Sequence, residues 1–264
     1  MAELSLPKEV NFASKHPHLP ENMTSSLLTV LPTNGNTFRA GSVISFDLPA
    51  RAGLYLQGQT TILRYRFRYT SNATSGSIKG VPALTPFFKL DEFINSTPVN
   101  SVYQYNQVAT MYVNTHVGAS EKYGVQSALF GELKTTVTND GIGDSVALTA
   151  SQASLAGSIT LATPLYCSAL LACDKFIPTG LAGQYRIQLT VAQLGDIVSN
   201  TTNVSDFQLE NVELCIVASD MGVGVDAMVA QMGEKIYLKT TCWANQGQQI
   251  ANAFSGVYSG MFNH

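Results

Sequence analysis

Between Thr61 and Thr70 the chain reads TILRYRFRYT, and the alternation is strict. Leu63, Tyr65, Phe67 and Tyr69 share one parity, and Arg64, Arg66 and Arg68 share the other. A period of two places every apolar side chain on one face of an extended segment, which a helix cannot do. A strand with rings on one side and guanidinium groups on the other has one face in a core and the other at a surface. This stretch therefore predicts a layered β protein.

Other segments extend the pattern. VISFDL (43–48), SITLA (158–162) and KIYLKTTCWA (235–244) read as strands, and YRIQLTVA (185–192) alternates with Tyr185, Ile187, Leu189 and Val191 inward. FQLENVELCIVAS (207–219) puts Phe207 and Leu209 on one parity and Val212, Leu214 and Ile216 on the other. A one-residue phase slip of that kind predicts a β-bulge. In PVNSVYQYNQVATMYVNTH (98–116), Val102, Tyr105, Ala109 and Tyr112 recur at helical spacing. The prediction there is a helix capped by Asn100 or Ser101, with a strand as the alternative. VDAMVAQM (225–232) predicts a short amphipathic helix through Val225, Met228, Val229 and Met232. Residues 71–86 read as a loop and 135–157 as a long surface excursion. Pro7, Pro17, Pro20 and Pro32 argue against regular structure before residue 40, so 1–40 reads as an extended arm and 41–264 as the folded domain. The fold class expected is all-β: a sandwich or jelly roll of about eight antiparallel strands, with one or two short helices and an extended N-terminal arm.

Composition narrows the function. Of the 264 residues 45% are hydrophobic and 12% charged, and that charged share is roughly half the usual one. A surface of Ser, Thr, Asn, Gln and Gly suits lasting contact with other subunits, because charge is depleted at the centres of interfaces. A net charge of −3 gives no global attraction for nucleic acid. No secretory signal is read in residues 1–30, and no apolar run approaches the roughly 18 residues of a membrane span. Sequons at Asn22, Asn72, Asn95, Asn200 and Asn203 reflect a chain rich in Asn, Ser and Thr.

The residues that carry chemistry are sparse. Cys167, Cys173, Cys215 and Cys242 form no C-x-x-C pair, and free cysteines acting as small hydrophobes are favoured over disulfides. That usage fits a reducing compartment. Of His16, His18, His116 and His264 only His116 falls within the expected fold, so neither a catalytic triad nor a clustered metal site is expected. Asp91 and Glu92 adjoin, and Asp206, Glu210 and Glu213 fall near one strand. Exposed carboxylates are favoured over a glycosidase-type pair. Gly222 and Gly224 precede a short helix without any phosphate-binding motif. No enzymatic activity and no cofactor are expected. The sharpest charged feature is the comb of Arg64, Arg66 and Arg68, about 7 Å apart along a strand face. A solvated face with local acidic partners is favoured, then a contact with a neighbouring subunit, then nucleic acid.

The order of these motifs resembles the first half of the double jelly-roll major capsid proteins of eukaryotic DNA viruses and virus-like transposons of the polinton-like and adintovirus type. ISFDLPARAGLYLQGQTTILRYRF is similar to their opening strands. PVNSVYQYNQVATMYV is similar to the segment where a strand enters a helix bearing a Tyr-Asn pair, here Tyr105 and Asn106. ATPLYCSALLACDKFIPTGLAGQYRIQLTVA and DFQLENVELCIVASDMGVGVDAMVAQMGEKIYLKTTCW are similar to the later strand–turn–strand and strand–helix–strand pieces. The likeness spans roughly residues 43–262. It implies a capsid structural protein of a virion, assembled in the host cytoplasm or nucleus. The partners implied are other copies of the chain, other capsid subunits and a second jelly-roll chain. Family members carry two jelly rolls, whereas this sequence holds material for one. The departure leaves a split capsid protein, a fragment of a longer chain, or a single jelly roll of the same lineage. The competing reading is a carbohydrate- or receptor-binding β-sandwich, against which stands the single tryptophan, Trp243, in a strand pattern. A cupin-type enzyme would need clustered histidines.

Overall fold

A computed structural model describes residues 23–71, 75–118, 146–149, 156–198, 204–231, 238–243 and 245. Its strands are β1 (Thr24–Val30), β2 (Thr37–Phe38), β3 (Val43–Asp47), β4 (Leu54–Ser71), β5 (Ser75–Ile78), β6 (Phe87–Ile94), β7 (Thr97–Tyr103), β8 (Val146–Thr149), β9 (Ala156–Pro164), β10 (Ile177–Pro178), β11 (Tyr185–Val191) and β12 (Val204–Asp220). The longer helices are α1 (Tyr105–His116) and α2 (Val223–Gln231). One sheet runs β1-β12-β4-β10, with β9 also pairing β4 and β2 pairing β12; a second runs β3-β11-β6-β7, and β5 and β8 form a small third.

Eight strands carry the topology. Taken in chain order as β1, β3, β4, β6, β7, β9, β11 and β12, the first pairs the eighth, the second the seventh, the third the sixth and the fourth the fifth. Those are the four rungs of one long antiparallel hairpin. Rolling that hairpin adds the contacts of β12 with β4 and β11 with β6. The product is a jelly roll.

The core lies where the inward parities of the two sheets meet. Leu63, Tyr65, Phe67 and Tyr69 of β4 are buried, as are Tyr185, Ile187, Leu189 and Val191 of β11. The Tyr65 and Phe87 rings meet edge to face at 5.2 Å, and Phe67 stacks on Phe207 at 5.5 Å. Tyr65 donates its hydroxyl to the Ala83 carbonyl at 2.9 Å, which removes the cost of burying it. The predicted phase slip in β12 is present: its register against β4 shifts between Glu210 and Glu213, with Asn211 left-handed at φ 50°. The extra residue lets Leu209 and Val212 both face the core.

Several expectations require correction. The helix does not begin at Asn100 or Ser101, because Asn100 and Val102 face inward on β7 opposite Glu92 and Leu90. Gln104, left-handed at φ 52°, makes the turn, and the Tyr105–Asn106 pair opens α1. Within the stretch read as an arm, Thr24–Val30 pairs along β12 from Asp220 to Leu214; residues 1–22 lie outside the described residues. Pro32 follows that strand and does not interrupt it. The loop 71–86 contains β5, which pairs with β8 inside the stretch read as an excursion. Of the strand read over 235–244, residues 235–237 and 244 lie outside the described residues and 238–243 form no strand; side-chain hydrogen bonds from Thr240 and Cys242 and the Trp243 amide hold them instead.

The bulge yields a stability prediction. Asn211→Gly, which relieves a left-handed residue, is expected to hold or slightly raise the urea midpoint, whereas Asn211→Val should cost about 1–2 kcal/mol. Equal midpoints for the two variants would remove the bulge as a constraint.

Candidate functional site: buried carboxylate ties and an outer arginine face

Glu92 ties β6 to β7, to β11 and to the turn after β9. On β6 it shares the inward parity of Leu90, with Ile187 of β11 on one side and Asn100 of β7 on the other. It is fully buried. Its Oε1 accepts from Ser168 Oγ at 2.6 Å, Tyr185 Oη at 2.8 Å and the Leu170 amide at 3.2 Å. Its Oε2 accepts from the Ala169 amide at 2.7 Å and Asn100 Nδ2 at 2.8 Å. These donors suit an acceptor-only carboxylate. The amides come from the turn after β9, which Cys167 enters in the left-handed region at φ 58°. That turn lies so close over β4 that a Cβ at Gly58 would stand 2.0 Å from the Leu170 carbonyl oxygen, so the position requires glycine.

The same cluster gathers the end of the described chain. Asn100 Nδ2 also donates to the Cys167 carbonyl, and Asn100 Oδ1 accepts the Trp243 amide at 3.1 Å. Trp243 is half-buried and meets Tyr112 of α1 edge to face at 5.5 Å. It is therefore part of a packed aromatic group, not a ring presented in a loop for a sugar.

A second carboxylate, Asp226, holds α2. It accepts from the Gly53 amide and from Tyr55 Oη, both at 2.7 Å. Sequence periodicity predicted an apolar stripe for this helix, but Asp226 is its buried residue, and Met228 is exposed. The helix docks by hydrogen bonding at the corner before β4.

All four cysteines are free; Cys167 and Cys173 are buried as expected, Cys215 is half-buried, and Cys242 is exposed. Burial pushes the Cys167 thiol up to about 12, which leaves little nucleophilic thiolate at neutral pH. His116 ends α1, exposed, stacked on Tyr112 at 4.4 Å and within 2.7 Å of Thr115 Oγ1. Among the described residues no three His, Cys, Asp or Glu side chains gather as a metal group. No described helix is long and apolar enough to cross a membrane.

The arginine comb projects from the outer face of β4. Arg64 pairs with Glu213 at 2.8 Å and Arg68 with Glu210 at 3.2 Å, while Arg66 donates to Ser158 Oγ on β9 at 2.8 Å. The β12 bulge is what puts both acids on this face, since it separates Glu210 and Glu213 by three residues. The comb is thus matched locally by two acids, and such exposed pairs contribute only about 0.2–1 kcal/mol each. Sequence reasoning found the arginines and missed both buried carboxylates. For Glu92 a signal existed: it repeats the parity of Leu90 and Ile94.

The strand order defines the class of fold, an eight-stranded jelly roll, and the solved Faustovirus major capsid protein is similar to it. The Faustovirus major capsid protein aligns with a TM-score of 0.55 at 12% identity, over 83% of this chain and 58% of its own. The PBCV-1 virus capsid aligns at 0.48 and 11%, over 83% and 47%; the mavirus major capsid protein aligns at 0.36 and 9%, over 83% and 52%. The Faustovirus likeness carries the comparison, and it is a likeness of fold. This chain spans about half the length of the solved chains it matches. No protein-family profile and no curated protein sequence matches it.

Two outcomes are expected from these ties. Glu92→Ala leaves several buried donors without a partner and should cost about 3–5 kcal/mol, read as a lower urea midpoint; a loss below about 1 kcal/mol would show that the cluster is not a tie. The second concerns alkaline pH. Burial, reinforced by the adjoining carboxylates, raises Tyr185 and Tyr55 above the ordinary phenol value of 10.0. The folded state holds these protons more tightly than the unfolded state does. Their contribution is therefore complete below pH 10.0 and is lost as pH rises above it. Tyr185→Phe should flatten that alkaline fall. An unchanged slope, or tyrosinate absorbance rising in the folded protein, would contradict the assignment.

Proposed function

We propose that this chain is a non-enzymatic structural subunit of a viral capsid, built into the shell by packing of its jelly roll against other subunits. The observation that carries this reading is the strand order, with its alignment over 83% of the chain to the Faustovirus major capsid protein. The chemistry agrees. The buried carboxylates are consumed in tying turns to sheets, so they serve rigidity and face no substrate. A shell subunit needs fixed surfaces more than mobile ones, and internal hydrogen-bonded ties provide them.

The partners in this reading are other copies of the chain and a second jelly roll, joined in the same polypeptide or supplied by another chain. The location is the virion. The outer face bearing Arg64, Arg66 and Arg68 is the electrostatic contact between subunits: its guanidinium groups reach solvent with two local acids for three cations, which leaves donors for an acidic neighbour.

The purified protein should run as a multimer in size-exclusion chromatography with light scattering, and negative-stain images should show rings or shells. Arg64, Arg66 and Arg68 changed together to Gln should weaken that assembly at least tenfold while moving the denaturation midpoint little, since each exposed pair contributes under about 1 kcal/mol. A monomer at every concentration reached, and still a monomer when mixed with a second jelly-roll chain, would contradict the capsid reading. Undiminished assembly of the triple variant would remove only the arginine contact.

A further inference from the structure

The edges of a sheet are where a chain shows whether it expects company, and the two sheets differ. In the four-stranded sheet each edge is engaged in part by other segments of the chain. Along β3, Thr33 donates its amide to the Ser45 carbonyl at 2.8 Å, and the Asn34 side chain bridges the Val43 carbonyl and the Ser45 amide at 2.6 and 3.0 Å. Along β7, the Cys242 thiol donates to the Val99 carbonyl and the Trp243 amide to Asn100 Oδ1. Among the described residues the edge strand β1 has no such cover. One side pairs with β12 over all seven residues, and no strand pairs with the other side among the described residues. Thr24, Ser25, Ser26 and Leu27 are exposed, Leu27 to 66%.

Natural edge strands that stay single carry Lys, Pro, a bulge or an inward charge to repel another edge. TSSLLTV carries none of these, its register with β12 is unbroken, and no charged residue occurs from Asn22 to Phe38. Two copies can therefore approach edge to edge without like-charge repulsion. The sequence also complements itself. An antiparallel pair centred on Leu27 sets Leu27 opposite its own counterpart, Ser25 opposite Thr29, and Thr24 opposite Val30. The first pair buries two exposed leucines, and the second matches hydroxyl with hydroxyl. Leu27 already sits beside Val217 on the outer face, with the partly exposed Ile62 and Cys215 in the next row, so the pairing would extend an apolar row across both copies.

We propose that β1 is a homotypic docking edge: two copies of this chain join β1 to β1 antiparallel about Leu27, which merges their larger sheets into one. The inference goes beyond the capsid reading and does not require it, because it concerns a two-copy contact that light scattering reads in the absence of shells.

Single cysteines test the register. In a Cys215→Ser, Cys242→Ser background, which removes the more accessible thiols, Leu27→Cys, Ser25→Cys and Thr29→Cys are compared under mild oxidation. All three positions are exposed, so each variant is expected to fold. Leu27→Cys should form a disulfide-linked dimer at least tenfold faster than either other variant alone, because only that position faces itself. Ser25→Cys mixed with Thr29→Cys should give the mixed dimer. Leu27→Lys should abolish the two-copy contact with no fall in the denaturation midpoint. Equal cross-linking rates for the three single variants, no dimer from any of them, or a dimer that survives Leu27→Lys would each overturn the proposal.

Discussion

The carboxylate of Glu92 is the interaction on which the rest of the structure leans. A buried Glu is expensive unless its oxygens are filled with donors. Here the donors come from a neighbouring strand (Asn100), the next strand of the same sheet (Tyr185) and the turn after β9 (Ser168, Ala169, Leu170). That turn leaves the opposite sheet, so one side chain fixes both a register within a sheet and the spacing between sheets. The left-handed Cys167 and the close approach over Gly58 are geometric consequences of bringing those amides to one point. Through Asn100 the same tie reaches Trp243, and through Trp243 the outer surface of α1.

The β12 bulge plays a complementary part on the outside. A strand of 17 residues in strict alternation would place either its second group of apolar residues or its acids on the wrong face. One left-handed residue, Asn211, resets the phase, so that Val212, Leu214 and Ile216 stay in the core while Glu210 and Glu213 both stand beside the arginines. Core packing and surface electrostatics are thus set by the same residue. Asp226 repeats the logic of Glu92 at the corner before β4, where a helix with little apolar contact is held by hydrogen bonds.

Much of this was legible in the sequence because alternation is a local signal. The Thr61–Thr70 part of β4, β11 and the two halves of β12 follow from parity alone, and the bulge follows from the slip between Leu209 and Val212. The jelly-roll expectation rested on motif order and holds in the strand pairing. What escaped notice depends on partners distant in sequence. Asn100 looked like a helix cap because its bond to Glu92 spans a hairpin, and Glu92 looked like a surface acid because its donors lie up to 93 residues away. Asp226 was hidden within an apolar spacing that pointed to the wrong face. The strand at Thr24–Val30 was obscured by prolines that flank it without entering it. KIYLKTTCWA has the composition of a strand, yet its described part, 238–243, is held by side chains.

The central claim is that this jelly roll is a repeating unit of a shell. Electron cryomicroscopy of particles containing the chain, with the map fitted by the two-sheet sandwich, tests it most directly. The account predicts many copies on the shell lattice, with the arginine-bearing face of β4 against a neighbouring subunit. Copies found only as isolated projections on the particle surface, or absent from the lattice altogether, would contradict it.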